Sequence, residues 1–243
     1  MTTQLRLKNP EDTHKFGGNI IGTAYTGLGY DLTPDTTFVQ PTVAVALRIK
    51  AGGNIADDYT AGTGARKVLL DGLDENFERV TEEIFTNGVD VSAASTATFV
   101  RLNRAYVTDC GTYGGANTAA INIETTAGAL QAVLRAGEGQ TQRAHFTIPA
   151  GFYGILEHML LTPDSQKVTS FRVMTREDAD DVTTPFKSKT VLSEFTNLAQ
   201  PVEWNPQHGV VLKPNTDVWI EAKVIASTGI ATANFEIHLE RRP

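Results

Sequence analysis

The chain has little of what most chemistry and most covalent stabilisation require. Of its 243 residues only one is cysteine, Cys110. No intrachain disulfide framework can therefore exist, and a reducing compartment of synthesis is expected. Basic residues are outnumbered, 21 Lys and Arg against 28 Asp and Glu, for a formal net charge of −7. A nucleic-acid partner needs clustered Lys and Arg, and an anionic membrane surface attracts the same groups, so both are excluded as principal partners. The short Arg241-Arg242 end is too small to reverse that balance. No apolar run approaches the ~18 residues of a membrane span. Met1 to Lys8 shows no secretory signal, so a soluble product made inside a cell is expected. Tryptophan is scarce: Trp204 and Trp219 are the two present.

Catalytic and metal-binding patterns are missing as well. His14, His145, His158, His208 and His238 form no His-x-His or His-Glu-x-x-His spacing and pair with no cysteine. His145 and His238 sit on strands opposite apolar positions and read as facing solvent or an interface. Glu177, Asp178, Asp180 and Asp181 lack the glycine and terminal glutamate of a calcium loop and read as a solvated acidic loop. Gly62 to Lys67 lacks the Gly-Lys-Ser/Thr ending of a phosphate loop and leads into a strand. Cys110 reads as a small buried or half-buried thiol. No Gly-x-Ser-x-Gly elbow occurs. A pair of glycosidase carboxylates would be defined in space, so its spacing leaves no mark in sequence. The expectation is a protein without catalytic residues, metal or cofactor.

What is present is alternation. Val43, Val45, Leu47 and Ile49 share one face of a strand, and Ala65 to Leu70 follows as the next. Phe77 to Phe85 fits both helical and strand spacing; its strand neighbours favour a strand, closed by Asn87-Gly88. Thr98–Thr108, Ile121–Ile123 and Leu130–Arg135 continue the pattern. So do Thr169–Thr175, Ser188–Leu192, Gly209–Leu212, Val218–Ile225 and Phe235–Leu239. Short strands at roughly 10-residue spacing, punctuated by Gly, Pro and Asn, are the signature of all-β sandwiches and barrels.

The pattern pivots on Gly137 to Leu156. Gly137 to Gln140 is too polar and glycine-rich to continue a strand, whereas Ala144, Phe146 and Ile148 alternate with His145 and Thr147. Pro149-Ala150-Gly151 then turns the chain, expected here as a hairpin. The spacing thus predicts two β-sandwich or jelly-roll-like layers or domains, residues 37–136 and 137–243. An extended N-terminal arm, residues 1–36, precedes them. Along that arm Phe16, Ile20, Ile21, Tyr25, Leu28 and Tyr30 are scattered among glycines and threonines. They are the candidate partner-contact residues, lying on the chain's own body or on a neighbour. Fully extended, such an arm would reach on the order of 120 Å.

The order of these features carries a resemblance. Ala65-Arg-Lys-Val-Leu-Leu-Asp-Gly-Leu-Asp-Glu-Asn is followed by Thr81-Glu-Glu-Ile-Phe-Thr-Asn-Gly and Phe99-Val-Arg-Leu-Asn-Arg-Ala-Tyr-Val-Thr. After these come the Gly111–Asn117 loop, Ile121-Asn-Ile, Ala136-Gly-Glu-Gly-Gln-Thr and Phe146-Thr-Ile-Pro-Ala-Gly. Over about residues 40–160 this resembles the minor structural proteins of tailed bacteriophage virions, which include capsid decoration (cement) and tail-associated β proteins. The resemblance implies a non-enzymatic assembly role, with the major capsid protein or other virion proteins as partners. It also implies a homo-oligomer (a trimer by analogy) and a place in the virion after synthesis in the host cytoplasm. Alternatives in view are a head–tail, tail or baseplate component, and a carbohydrate-binding host-recognition module.

Overall fold

Alternating apolar and polar side chains become strands over much of the described chain. The computed structural model describes residues 12–29, 38, 41–51 and 54–241. Among them the chain runs β1 (Asp12–Ile21), β2 (Thr26–Gly27), β3 (Val45–Lys50), β4 (Ala65–Leu73), β5 (Arg79–Phe85) and β6 (Thr98–Phe99). It continues with β7 (Arg101–Cys110), β8 (Ile121–Thr125), β9 (Leu130–Leu134), β10 (His145–Thr147), β11 (Phe152–Thr162) and β12 (Thr169–Arg176). The last are β13 (Thr190–Leu198), β14 (Val202–Trp204), β15 (Val210–Leu212), β16 (Asp217–Val224) and β17 (Gly229–Arg241). Every pairing between these strands is antiparallel, and the all-β class read from the sequence holds.

Strands β3 to β9 form two sheets, ordered β6-β3-β8-β9 and β5-β4-β7. Their apolar faces meet in one core that contains Leu47, Ile49, Val68, Leu70, Ile121, Ile123 and Leu134. Burying each such side chain contributes about 1.5–3 kcal/mol. The segment ambiguous between helix and strand is strand β5, because Val80 to Ile84 extend along β4 residue for residue. Phe77 precedes it in a tight turn at φ 58°, where a non-glycine residue needs compensation. Its ring is buried against Leu73, Val100 and Ala179, and that packing supplies the compensation.

The second sandwich faces sheet β1-β17-β11-β14, with β15 also on β11, against sheet β10-β16-β12-β13, with β2 also on β16. β17 shows the cause most plainly. Along its 13 residues Ala231, Ala233, Phe235, Ile237 and Leu239 point inward and the residues between them point out. Phe171, Val173, Ile220 and Leu156 meet them from the other strands.

Two expectations change here. The described part of the N-terminal segment, residues 12–29, is extended but is no separate arm. β1 pairs along its whole length with β17, from Asp12↔His238 to Ile21↔Gly229, and β2 pairs with β16. These strands belong to the second sandwich, although the chain then goes on to build the first. The inward positions of β1 are Lys15, Gly17, Asn19 and Ile21, a set with no apolar rhythm to read. Gly17 is required by close approach: a Cβ there would lie 2.1 Å from the Leu28 carbonyl oxygen and 2.4 Å from the Ala144 nitrogen. Tyr30 lies outside the described residues.

The second change concerns Pro149-Ala150-Gly151. The turn forms, with Gly151 at φ 79°, but its flanking strands do not pair with each other. β10 pairs with β16, whereas β11 pairs with β14, β15 and β17. The turn is an arch between the two layers rather than a hairpin. Turn chemistry dictates reversal of the chain, while distant strands decide which sheet each arm joins.

Candidate functional site

The stretch from Gly137 onward straps the two sandwiches together. Gly137 and Gly139 take positive φ, and their amides donate to Asn117. Val107 N–H donates to the Gly139 carbonyl and Thr141 N–H to that of Ala105, so the strap lies along β7. Further on, Thr147 N–H donates to Asn103 Oδ1 at 2.9 Å, and Asn103 Nδ2 returns a bond to the Thr147 carbonyl at 3.2 Å.

Beside that amide bridge lies a buried ion pair. Arg101 on β7 donates from Nε to Asp217 Oδ1 at 2.8 Å and from Nη2 to Oδ2 at 3.0 Å. The side chains are 1% and 0% exposed. Thr147 Oγ1 donates to the same carboxylate at 2.7 Å, and Arg176 Nε stands 3.7 Å away. The Arg101 guanidinium also lies 5.3 Å over the Phe77 ring and donates to the carbonyls of Val100 and Pro41. Bidentate geometry with every oxygen engaged is the condition under which such a pair is tolerated away from water.

Above this joint β1 forms one wall of a groove, and the first sandwich forms the other. One part of about 270 Å³ is lined by His14, Lys15, Phe16, Arg104, Gln140 and Thr141. The adjoining part, about 210 Å³, adds Asp12, Asp71, Arg79 and Asn103. Lys15 is buried and donates to the Asn103 carbonyl. Burial, with Arg143 and Arg104 nearby, pushes its ammonium down to about 7, against the weaker pull of Asp71. Arg104 donates to Gln140 Oε1 and lies 4.7 Å over the Tyr106 ring. Burial raises the Asp71 carboxyl, with Arg79, 3.7 Å away, acting in the other direction.

The candidate contact residues divide among three environments. Phe16 (36% exposed) and Ile20 (53%) point outward from β1, and Ile20 faces Ile230 (56%) on β17. Ile21 and Leu28 are core residues of the second sandwich. Tyr25 is clasped: Arg172 Cζ and Lys223 Nζ lie 3.9 and 4.5 Å from its ring centroid, and its hydroxyl donates to Glu194 at 2.6 Å. Burial and that bond push its phenol up.

Other readings change with burial. His145 is buried, correcting the solvent-facing expectation; β10 is covered on both sides, so its alternation does not mark a wet face. Burial, together with Arg143, Arg101 and Lys15, holds its imidazole well below the usual range. Its ring lies 5.3 Å from that of Phe38. His238 remains half-exposed, bonded at 2.5 Å to Asp12, which raises its pKa. Trp219 is buried, with Nε1 donating to Glu221, and Trp204 packs edge-on against Phe195. Cys110 is partly buried and its thiol is raised by desolvation. Among the described residues no group of three His, Cys, Asp or Glu side chains could hold a metal ion.

Sequence reading missed Lys15, Arg101, Arg104 and Asp217. A charged residue inside an apolar stretch, as in Phe99-Val-Arg-Leu, was the one local signal of a buried partner. No known protein family matches the chain, and no curated protein matches it. Solved structures that align with it include infectious bursal disease virus, Gt strain, at 8% identity, covering 96% of this chain and 82% of that one, with a TM-score of 0.14. The VP2 subviral particle of the same virus aligns at 9% identity over 96% and 81%, also at 0.14. A TM-score that low defines no common fold and carries no argument.

Proposed function

We propose that this chain is a non-enzymatic structural protein of a virion, a capsid decoration protein that stabilises the head through protein contacts. The observation that carries the reading is mechanical. The sandwiches are joined by Arg101–Asp217, by the Asn103–Thr147 amide bridge and by the strap along β7. A joint with a buried bidentate ion pair holds the two contact surfaces at a fixed separation, as a clamp between shell subunits requires.

Apolar groups for such contacts are exposed on both sandwiches. Phe16, Ile20 and Ile230 lie on the second. On the first, Ile55, Tyr59, Phe85 and Val89 are exposed, and the Tyr59 ring lies 4.2 Å from that of Phe85. Single exposed apolar residues are ordinary, but grouped ones mark contact surfaces. In this reading the partner is the major capsid protein, and the protein itself forms a closed homo-oligomer, a trimer. Many modest contacts then add through effective concentration. The net charge of −7 keeps the outer surface from adhering to nucleic acid.

Quantitative mass spectrometry of purified virions tests this. On the order of hundreds of copies per particle are expected, following shell symmetry. A few copies per particle would place the protein in the tail or baseplate, and its absence from virions would overturn the proposal.

A further inference from the structure

Three of the chain's five histidines meet a carboxylate on the outer face of one sheet. β1 and β17 place two of them by register: Asp12 lies opposite His238 and His14 opposite Glu236, each strand supplying one histidine and one acid. His238 Nδ1 is 2.5 Å from Asp12 Oδ1, and both side chains are mostly buried. His14 Nε2 is 3.3 Å from Glu236 Oε1. On the next strand, β11, His158 stands opposite Glu236, and its Nε2 reaches Glu203 Oε1 on β14 at 3.1 Å. The core-facing residues of β17 are the odd-numbered ones, so Glu236 and His238 point outward. A row of His14, Glu236, His158 and Glu203 thus crosses all four strands of the order β1-β17-β11-β14, from one edge to the other.

Such a row has two states. With the imidazoles protonated, cation and carboxylate alternate across the sheet, and opposite charges facing each other across strands stabilise it. With the imidazoles neutral, Asp12, Glu236 and Glu203 lose the charge of their partners, while Glu157 and Glu240 keep their own near His238. Histidine is the side chain that makes this change between about pH 5 and 8. The hydrogen bond to Asp12 raises the His238 pKa, and bonds from Asn205 and His158 lower that of Glu203. Other charged groups stand at the β1 end: Arg104, Arg79 and Asp71 line the groove beside Asp12 and His14, and Lys15 points inward. The strands clasped at either end, β1 and β14, are the edges of the sheet, where local opening is easiest.

We infer that this histidine–carboxylate row is a pH-operated clasp, fastening the edge strands β1 and β14 to the sheet when its imidazoles are charged and loosening them when they are neutral. A histidine whose pKa is raised on folding stabilises fully below its unfolded value, about 6.5. It loses that contribution as pH rises through the folded value. The clasp is therefore closed between roughly pH 5 and 6.5, where the carboxylates are ionised as well, and it opens above. Lys15 titrates in the opposite sense, because burial favours its neutral form, so it cannot cause a loss with rising pH. The clasp depends on the fold alone and not on the virion reading.

Hydrogen exchange of the full chain, read by mass spectrometry at about pH 6 and pH 8 and corrected for the intrinsic rate, tests this. Protection of β1 and β14 should fall about threefold or more at the higher pH, the scale of a partly exposed ion pair. β16, in the core, should keep its protection. His14→Lys with His238→Lys leaves a cation at both β1 positions throughout this range. In that variant β1 should hold its protection at the higher pH while β14 still loosens. His158→Lys should do the reverse and hold β14 alone. His238→Gln supplies no charge at either pH, so its β1 should be weakly protected at both, with β16 unchanged. Constant protection of both edges in the parent, or an equal fall in the parent and the lysine variants, would overturn the clasp. A parallel fall in β16 would mark loss of the whole fold and would overturn it too.

Discussion

Replacing Arg101 with methionine keeps most of the aliphatic volume and removes the guanidinium. Asp217, 0% exposed, would retain Thr147 Oγ1 at 2.7 Å and Arg176 at 3.7 Å and lose two charge-assisted bonds. Breaking one side of a buried pair costs about 3–5 kcal/mol, because the remaining charge stays desolvated. Arg176 offsets part of that, and the lost contact with Phe77 adds to it, so about 3 kcal/mol is expected. For a chain of this size that lowers Tm by roughly 6–12 °C. Arg101→Met with Asp217→Leu should recover most of the loss, since an apolar pair of similar volume carries no stranded charge. Urea unfolding should be followed by far-UV circular dichroism and by tryptophan fluorescence. Trp204 and Trp219 both lie in the second sandwich, so fluorescence reports that half alone. The two probes should coincide in the parent and separate in Arg101→Met, where the joint is weakened. A cost under about 1 kcal/mol, or a double variant no better than the single, would refute the argument that this ion pair couples the sandwiches.

Two further expectations concern β1. Lys15 is depressed from 10.5 to about 7 in the folded protein, so between those values the unfolded chain binds the extra proton. Stability should therefore rise from pH 7 toward pH 10, by at most about 1.4 kcal/mol per unit, with the full penalty present below pH 7. Lys15→Met should lose that slope and exceed the parent in stability at pH 7; an identical slope in both would refute the assignment. Gly17→Val places a side chain against the backbone of Leu28 and Ala144. It should cost at least about 1–3 kcal/mol and open β1 to limited proteolysis, and a thermal melt matching the parent's would show that the close approach is not required.

Much of the β architecture was legible because period-2 alternation is local. β17, β4 and β3 could be read from their own residues, and the Asn87-Gly88 and Pro149–Gly151 turns from their own chemistry. What escaped reading was everything that depends on a distant partner. Residues 12–21 look unpatterned because their inward set is a lysine, a glycine, an asparagine and one isoleucine, chosen to fit β17, Asn103 and the Leu28 backbone. His145 alternates as a wet-face residue would, yet a second layer covers it. The arms of the Pro149 turn separate because β16 and β17, some 70 or more residues later, supply the pairing.

The division has one physical cause. Conformational preference and amphipathic rhythm are properties of a few neighbouring residues, so the sequence by itself determined that this chain is all-β. Strand partners and the neutralisation of a buried charge depend on groups remote along the chain. Only the tertiary structure could therefore turn the N-terminal segment into a sheet edge, join Arg101 to Asp217, and bury Lys15 against the Asn103 carbonyl beside Arg104 and Asp71.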